Sequence, residues 1–225
     1  MNLQEMRQQQ PIKRRLEAKA EADKTLVYLY GDVVDEKPVD WWTGEEIDKE
    51  YILAEDVRNT MDAIESDLVE LHINSYGGSL FASVAIFNFL RASGKKIDVV
   101  IDGVAASGAS LIAMCGRSLK MPKNTMLMIH RASTFGYGNC EDLRKTADML
   151  EKLDNTVLIE TYADKCNCSR DELMEKISNE TWVSAAEAYD LGLCDELIET
   201  QEKPPTNKEM QEVSNLLKNF ANINF

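Results

Sequence analysis

A serine set in a small-residue turn and a histidine that follows an apolar run are, together, the parts of an acyl-transfer site, and this chain holds one of each. Ser107 lies in Gly103-Val-Ala-Ala-Ser107-Gly-Ala-Ser110, directly after an apolar stretch. That is the setting of a nucleophile elbow. Ala105, Ala106, Gly108 and Ala109 allow a sharp turn and leave room for a carbonyl, and a helix N-terminus favours developing negative charge. The same composition suits a tightly packed helix start with Ser107 and Ser110 as small fillers, so this segment alone leaves both readings open. Ser110, three residues on, is expected inside the helix.

A serine nucleophile needs a base, and the sequence has 2 histidines, His72 and His130. His72 falls in the alternation Glu70-His72-Asn74, the pattern of a polar strand face. His130 ends the apolar run Met126–Ile129 and opens a loop, where catalytic groups emerge, and is favoured. For either, a hydrogen-bonded structural role is the alternative. Gly77-Gly78 closes a further apolar alternation, and its backbone N–H groups could face an oxyanion or simply form a turn. No G-x-x-x-x-G-K-[ST] occurs, so ATP binding through a phosphate loop is not expected of this chain.

The elements that would position these groups can be read from periodicity. Strands are predicted over 25–30, 68–74, 97–101 and 126–129, and helices over 54–66, from 80 to Gly94, from 106 to Gly116 and over 141–163. The helix from 80 carries Val84, Ala85, Phe87 and Leu90 as its apolar positions. Ser169-Arg-Asp-Glu172 and Ser184-Ala-Ala-Glu187 are capping boxes that start two more helices. Strands alternating with helices predict a largely parallel α/β architecture, and each candidate group then lies at the C-terminal end of a strand. Residues 1–24 are polar and read as a flexible N-terminal tail or a loose helix, residues 25–200 as the folded domain, and residues 201–225 as a C-terminal appendage.

Composition narrows the function classes. The 225 residues are 44% hydrophobic and 28% charged, enough for a core without covalent staples. Lys and Arg total 25 against 39 Asp and Glu, a net charge of −14 that repels nucleic acid and anionic lipid. The longest apolar stretch, 105–115, is about half of the ~20 residues a membrane span needs. The N-terminus lacks the basic-then-apolar order of a secretory signal, which implies a reducing cytosol. The 5 cysteines (Cys115, Cys140, Cys166, Cys168, Cys194) stand at irregular spacings and are expected to be free thiols, with no zinc site.

Ile73-Asn-Ser-Tyr-Gly-Gly78, Gly103-Val-Ala-Ala-Ser107 and Met128-Ile-His130 resemble, in order and spacing, the signature blocks of the Clp serine peptidase family, from about Leu26 to Leu197. The resemblance implies a ClpP/crotonase-like spiral of repeated strand-strand-helix units with a protruding long helix. It implies Ser107 as nucleophile, His130 as general base, and the backbone N–H groups of Gly78 and Gly108 as oxyanion hole. The family's aspartate precedes a block similar to Thr181-Trp-Val-Ser-Ala-Ala-Glu-Ala188, and Glu180 stands at the matching position; Asp154 and Asp171 are alternatives without a local match. Tyr76 stands where the family commonly has proline, and Gly108 where it has methionine. Those departures, the Trp41-Trp42 loop and the tails resemble the bacteriophage and prophage branch of head maturation proteases. The implied function is a serine endopeptidase that trims phage capsid or scaffold protein. It would be a cytoplasmic ring-shaped homo-oligomer, in the bacterial host or within the phage prohead, with no cofactor and no metal. A housekeeping-type Clp peptidase with an ATPase partner, a crotonase-like acyl-CoA enzyme and a catalytically idle assembly protein are the competing readings.

Overall fold

Strand β5 (Leu68–Ser75) shows how the sequence pattern becomes structure. Val69, Leu71, Ile73 and Ser75 are buried, while Leu68, Glu70, His72 and Asn74 are half-exposed, as a period of two demands. The computed structural model describes residues 3–40, 42–46 and 51–199. Within these, β1 (Arg15–Ala20), β2 (Thr25–Tyr30), β5, β6 (Lys96–Ala106), β7 (Ser118–Pro122) and β10 (Glu196–Ile198) lie side by side in that order, and β8 (Met126–Ile129) joins β6 and pairs with β9 (Thr181–Ser184). The β2–β5, β5–β6, β6–β7, β6–β8 and β7–β10 pairs are parallel; β1–β2 and β8–β9 are antiparallel. The expected α/β architecture is therefore present, with antiparallel strands at two edges. Strands β3 (Asp32–Val34) and β4 (Tyr51–Leu53) pair separately.

Strand β6 runs longer than its apolar run predicts. Its first half pairs with β7 at Asp98 to Val100, and its last residues, Val104 to Ala106, pair with β8. The sheet thus splits beside β6, and β8 enters where β7 has left. Residues 107 and 130 both follow from that split.

Helix α2 (Ala54–Asp62) ends earlier than expected. Helix α3 (Leu80–Ala92) is capped by Ser79, whose side chain accepts from the Ala82 N–H, and it buries the i, i+4, i+8 row Ala82, Ile86, Leu90. Val84 and Phe87 pack at its flank, and Ala85, expected to be apolar lining, faces solvent. Helix α4 (Gly108–Ala113) is wholly buried. The predicted long helix over 141–163 is α5 (Cys140–Leu153), a π-helical turn (Asp154–Leu158) and α6 (Ile159–Ala163). None of the residues of α5 is buried, so it projects from the body; burial begins at Asp154. Helices α7 (Arg170–Ser178) and α8 (Ala185–Asp190) begin at the two expected caps, Ser169 and Ser184.

Two expectations are corrected. Residues 1–24, read as a flexible tail or a loose helix, contain a helix, α1 (Leu3–Gln9), but also strand β1, which places the segment in the folded body. The polar composition hid β1 because its partner is the backbone edge of β2 and its anchors are single contacts: Leu16 against the core and the Arg15 guanidinium 3.4 Å from the Tyr28 ring centre. Not all cysteines are free either: Cys166 and Cys168 form a disulfide, because the turn at Asn167 brings their Cα atoms to 5.3 Å. Cys115 and Cys194 are buried free thiols, and burial pushes the Cys115 thiol up to about 12. Residues 201–225 and Trp41 lie outside the described residues. Among the described residues no helix is long and apolar enough to cross a membrane.

Candidate active site

The split in the sheet sets the first distance of the site. Ala106 pairs with Met128, and the Ser107 N–H donates to the Met128 carbonyl at 2.9 Å, so the chain leaves β6 and β8 side by side. Ser107 follows with φ 54° and ψ −127°, a left-handed turn that throws its side chain clear of the helix it begins; the hydroxyl caps nothing in α4. His130, one residue past β8, meets it: Nε2 lies 2.7 Å from Ser107 Oγ. The Gly103–Ser110 segment is thus a sharp strand-to-helix turn with the Ser107 hydroxyl outside the helix packing, while Ser110 is buried within it.

Ser110 is buried as expected and has a definite task. Its hydroxyl donates toward the carbonyls of Ser107 at 2.6 Å and Met128 at 3.0 Å. The Tyr162 hydroxyl, 2.7 Å away, then donates to Ser110 Oγ. This buried network ties the ends of both strands to α6. Tyr162 was not singled out from sequence; an aromatic in a helical run reads as core, and burial raises its phenol well above the usual range.

The glycine turn after β5 closes the other side. A Cβ on Gly77 (φ 80°) would stand 2.4 Å from the Ala106 carbonyl oxygen and 2.6 Å from Gly108 N, so only glycine admits this approach to the elbow. A Cβ on Gly108 would stand 3.5 Å from Gly78 N, so the two amides are neighbours. The Gly78 N–H has no acceptor among the described residues, and the Gly108 N–H opens a helix and is an orphan donor. Ser107, His130, Gly78 and Gly108 are therefore brought together.

Glu180 is not in hydrogen-bond contact with His130 among the described residues; it is exposed, with φ 50°. Asp171 is exposed in the first turn of α7. Asp154, by contrast, is 2% exposed and bonded just beyond the histidine, with Oδ1 accepting from the Ala132 N–H at 2.8 Å. Burial holds the His130 imidazole below the ordinary histidine range; the Glu180 charge opposes this, the Arg7 guanidinium reinforces it and Asp154 opposes it. A neutral imidazole beside a serine hydroxyl can accept its proton at neutral pH. Arg7 comes from α1, the segment read as tail: its Nη2 donates to the Tyr76 carbonyl at 2.7 Å, and Leu3 and Met6 pack with Tyr76, Ala106 and Met128.

His72 sits elsewhere, on the polar face of β5. Its Nδ1 lies 2.9 Å from Asp102, its Nε2 3.3 Å from Glu70, and its ring stacks on Tyr28. Burial lowers its pKa, but the two carboxylates outweigh this and raise it. Its partners among the described residues are two carboxylates and an aromatic ring, the surroundings of a hydrogen-bonded structural histidine.

The model of the Clp protease family matches residues 33–201, three quarters of the chain and every element of this site except α1. The chain belongs to the Clp protease family. Its Clp relatives include an ATP-dependent Clp protease proteolytic subunit of Deinococcus radiodurans, 28% identical over 58% of this chain and 65% of that protein. The ATP-dependent Clp protease proteolytic subunit 1 of Chlamydia abortus is 31% identical over 56% of this chain and 67% of that protein. A Clp subunit of Bacteroides fragilis is 28% identical over 58% of this chain and 63% of that protein. The chain thus spans about two thirds of the length of the Clp subunits it matches.

Proposed function

We propose that this protein is a serine endopeptidase that works through an acyl-enzyme. The observation that carries this reading is the 2.7 Å contact between His130 Nε2 and Ser107 Oγ beside the Gly78 and Gly108 amides, unpaired among the described residues. In the proposed cycle His130 removes the Ser107 proton as Oγ adds to the scissile carbonyl, and the two amides hold the developing oxyanion. The protonated His130 then gives its proton to the departing amine. Water, deprotonated by the same imidazole, releases the acyl group. A positioned base is worth ~10²–10⁴-fold and a single oxyanion donor about 3 kcal/mol, so both parts are needed. Glu180 acts in this scheme through its charge, favouring the imidazolium that forms.

The substrate class we propose is phage head protein, capsid or scaffold. The support is the Tyr76 and Gly108 departures and the tryptophan loop, whose Trp42 is largely exposed. We further propose that copies assemble in a ring through α5, whose outward Leu143 and Met149 leave apolar surface uncovered. The relatives are named as ATP-dependent; this chain lacks a phosphate loop, so in this reading any ATP use through such a loop falls to another chain. The test is incubation of wild type and Ser107→Ala with candidate head protein, read by intact mass. Discrete fragments with wild type alone support the reading; uncut substrate, or equal cutting by both, defeats it.

A further inference from the structure

The long helix that projects from the body re-enters it at Asp154, and it does so in a π-helical turn. Such turns interrupt the regular hydrogen-bond ladder and recur at functional sites. This one carries a carboxylate into the interior, where a charge is expensive unless paired. Both pairings lead to one place. Oδ1 accepts from the Ala132 N–H at 2.8 Å, and Oδ2 lies 3.5 Å from the half-exposed Arg131 guanidinium. Arg131 and Ala132 directly follow His130, in a stretch without regular structure. The Nδ1 of His130 makes no hydrogen bond among the described residues, so Ser107 on Nε2 is the one hydrogen-bond partner there that orients the ring.

We propose that Asp154 is a positioning residue for the Ser107–His130 pair: by fastening the backbone just beyond His130 to the π turn, it holds the imidazole at the nucleophile. Glu180, exposed and unbonded to the histidine, contributes charge but no anchorage. The inference rests on the proposed peptidase reading, yet concerns a residue which that reading does not use. The groups facing His130 are Ser107 from the elbow, Glu180 from the turn before β9, Arg7 from α1 and Asp154. Removing the Asp154 charge therefore shifts the histidine further down, in the same direction as burial.

The experiment compares Asp154→Ala, Asp154→Asn and Glu180→Gln with wild type in peptide hydrolysis, alongside His130 ring titration by NMR in a Ser107→Ala background. Misplacing a reacting group by about 1 Å costs roughly 10²-fold. Asp154→Ala is expected to lose kcat on that scale with KM little changed. Asp154→Asn, which keeps an acceptor for the Ala132 N–H, recovers most of it, while the acidic limb of its pH profile moves to lower pH. Glu180→Gln moves the limb the same way with a smaller loss of kcat. Wild-type kcat in folded Asp154→Ala, or no recovery in Asp154→Asn, overturns the proposal. Should Asp154→Ala not fold, the other two variants decide. Should wild type hydrolyse nothing, the peptidase reading fails by itself and the titration still decides: a lower His130 midpoint with Asp154→Asn supports the placement, and an unmoved one overturns it.

Discussion

At Ser107 the backbone is held at φ 54°, a conformation that costs a side-chain-bearing residue about 1–3 kcal/mol and persists only where its surroundings enforce it. What enforces it is the Ser107 N–H bond to Met128 and the Ser110 hydroxyl on the Ser107 carbonyl. The partner imidazole is tuned by burial first, then by Glu180, Arg7 and Asp154. Arg7 gives a prediction of opposite sign to the carboxylates: Arg7→Gln removes a repelling cation, raises the His130 pKa and moves the acidic limb of kcat/KM to higher pH. A pH–rate profile checks it, and an unmoved or lowered limb contradicts it. Ser107 and His130 were legible in the sequence because each closes an apolar strand within a local motif. Asp154 was only an alternative carboxylate there, and Arg7 and Tyr162 were not legible at all, since the contacts of Arg7, Asp154 and Tyr162 span 69, 22 and 52 residues that no local pattern encodes.

Among the elements, the glycine turn after β5 and the elbow after β6 are packed backbone to backbone. A Cβ at Gly78 would stand 1.9 Å from the Val33 carbonyl oxygen, so Gly78→Ala must move either that turn or β3. The expected result is a destabilisation of roughly 1–3 kcal/mol in denaturant titration. Displacing one oxyanion donor also lowers kcat, by ~10²-fold or more. The Ser110–Tyr162 bond yields a smaller effect. Tyr162→Phe leaves Ser110 Oγ without its donor and costs about 1 kcal/mol, or roughly 2–4 °C in Tm for a chain of this size. Thermal unfolding of the two proteins reads it directly. Periodicity located β2, β5, β8, α3 and the two capped helices closely. It missed β7 and β9, whose short runs 118–122 and 181–184 become strands only because β6 and β8 offer free edges.

For the whole molecule, α5 is the feature that a single copy leaves unexplained. A 14-residue helix with none of its residues buried, next to the fully exposed Phe135 and Tyr137, is the surface on which the proposed assembly rests. Leu143→Glu with Met149→Glu is expected to convert an oligomer into smaller species in light scattering, with the fold retained by circular dichroism; a wild-type monomer contradicts it. The overall α/β architecture was readable because strands and helices alternate in the sequence. The branching of the sheet at β6 was not, because one uninterrupted strand changes partner without any break in its pattern. That branching is also what places one hydroxyl against one imidazole. The most direct measurement is therefore labelling of the wild-type protein with an active-site fluorophosphonate, mapped by mass spectrometry. A single adduct on Ser107, lost in His130→Ala and on acidification below the imidazole titration, is the predicted result. An unlabelled Ser107, or labelling indifferent to His130, would contradict the account.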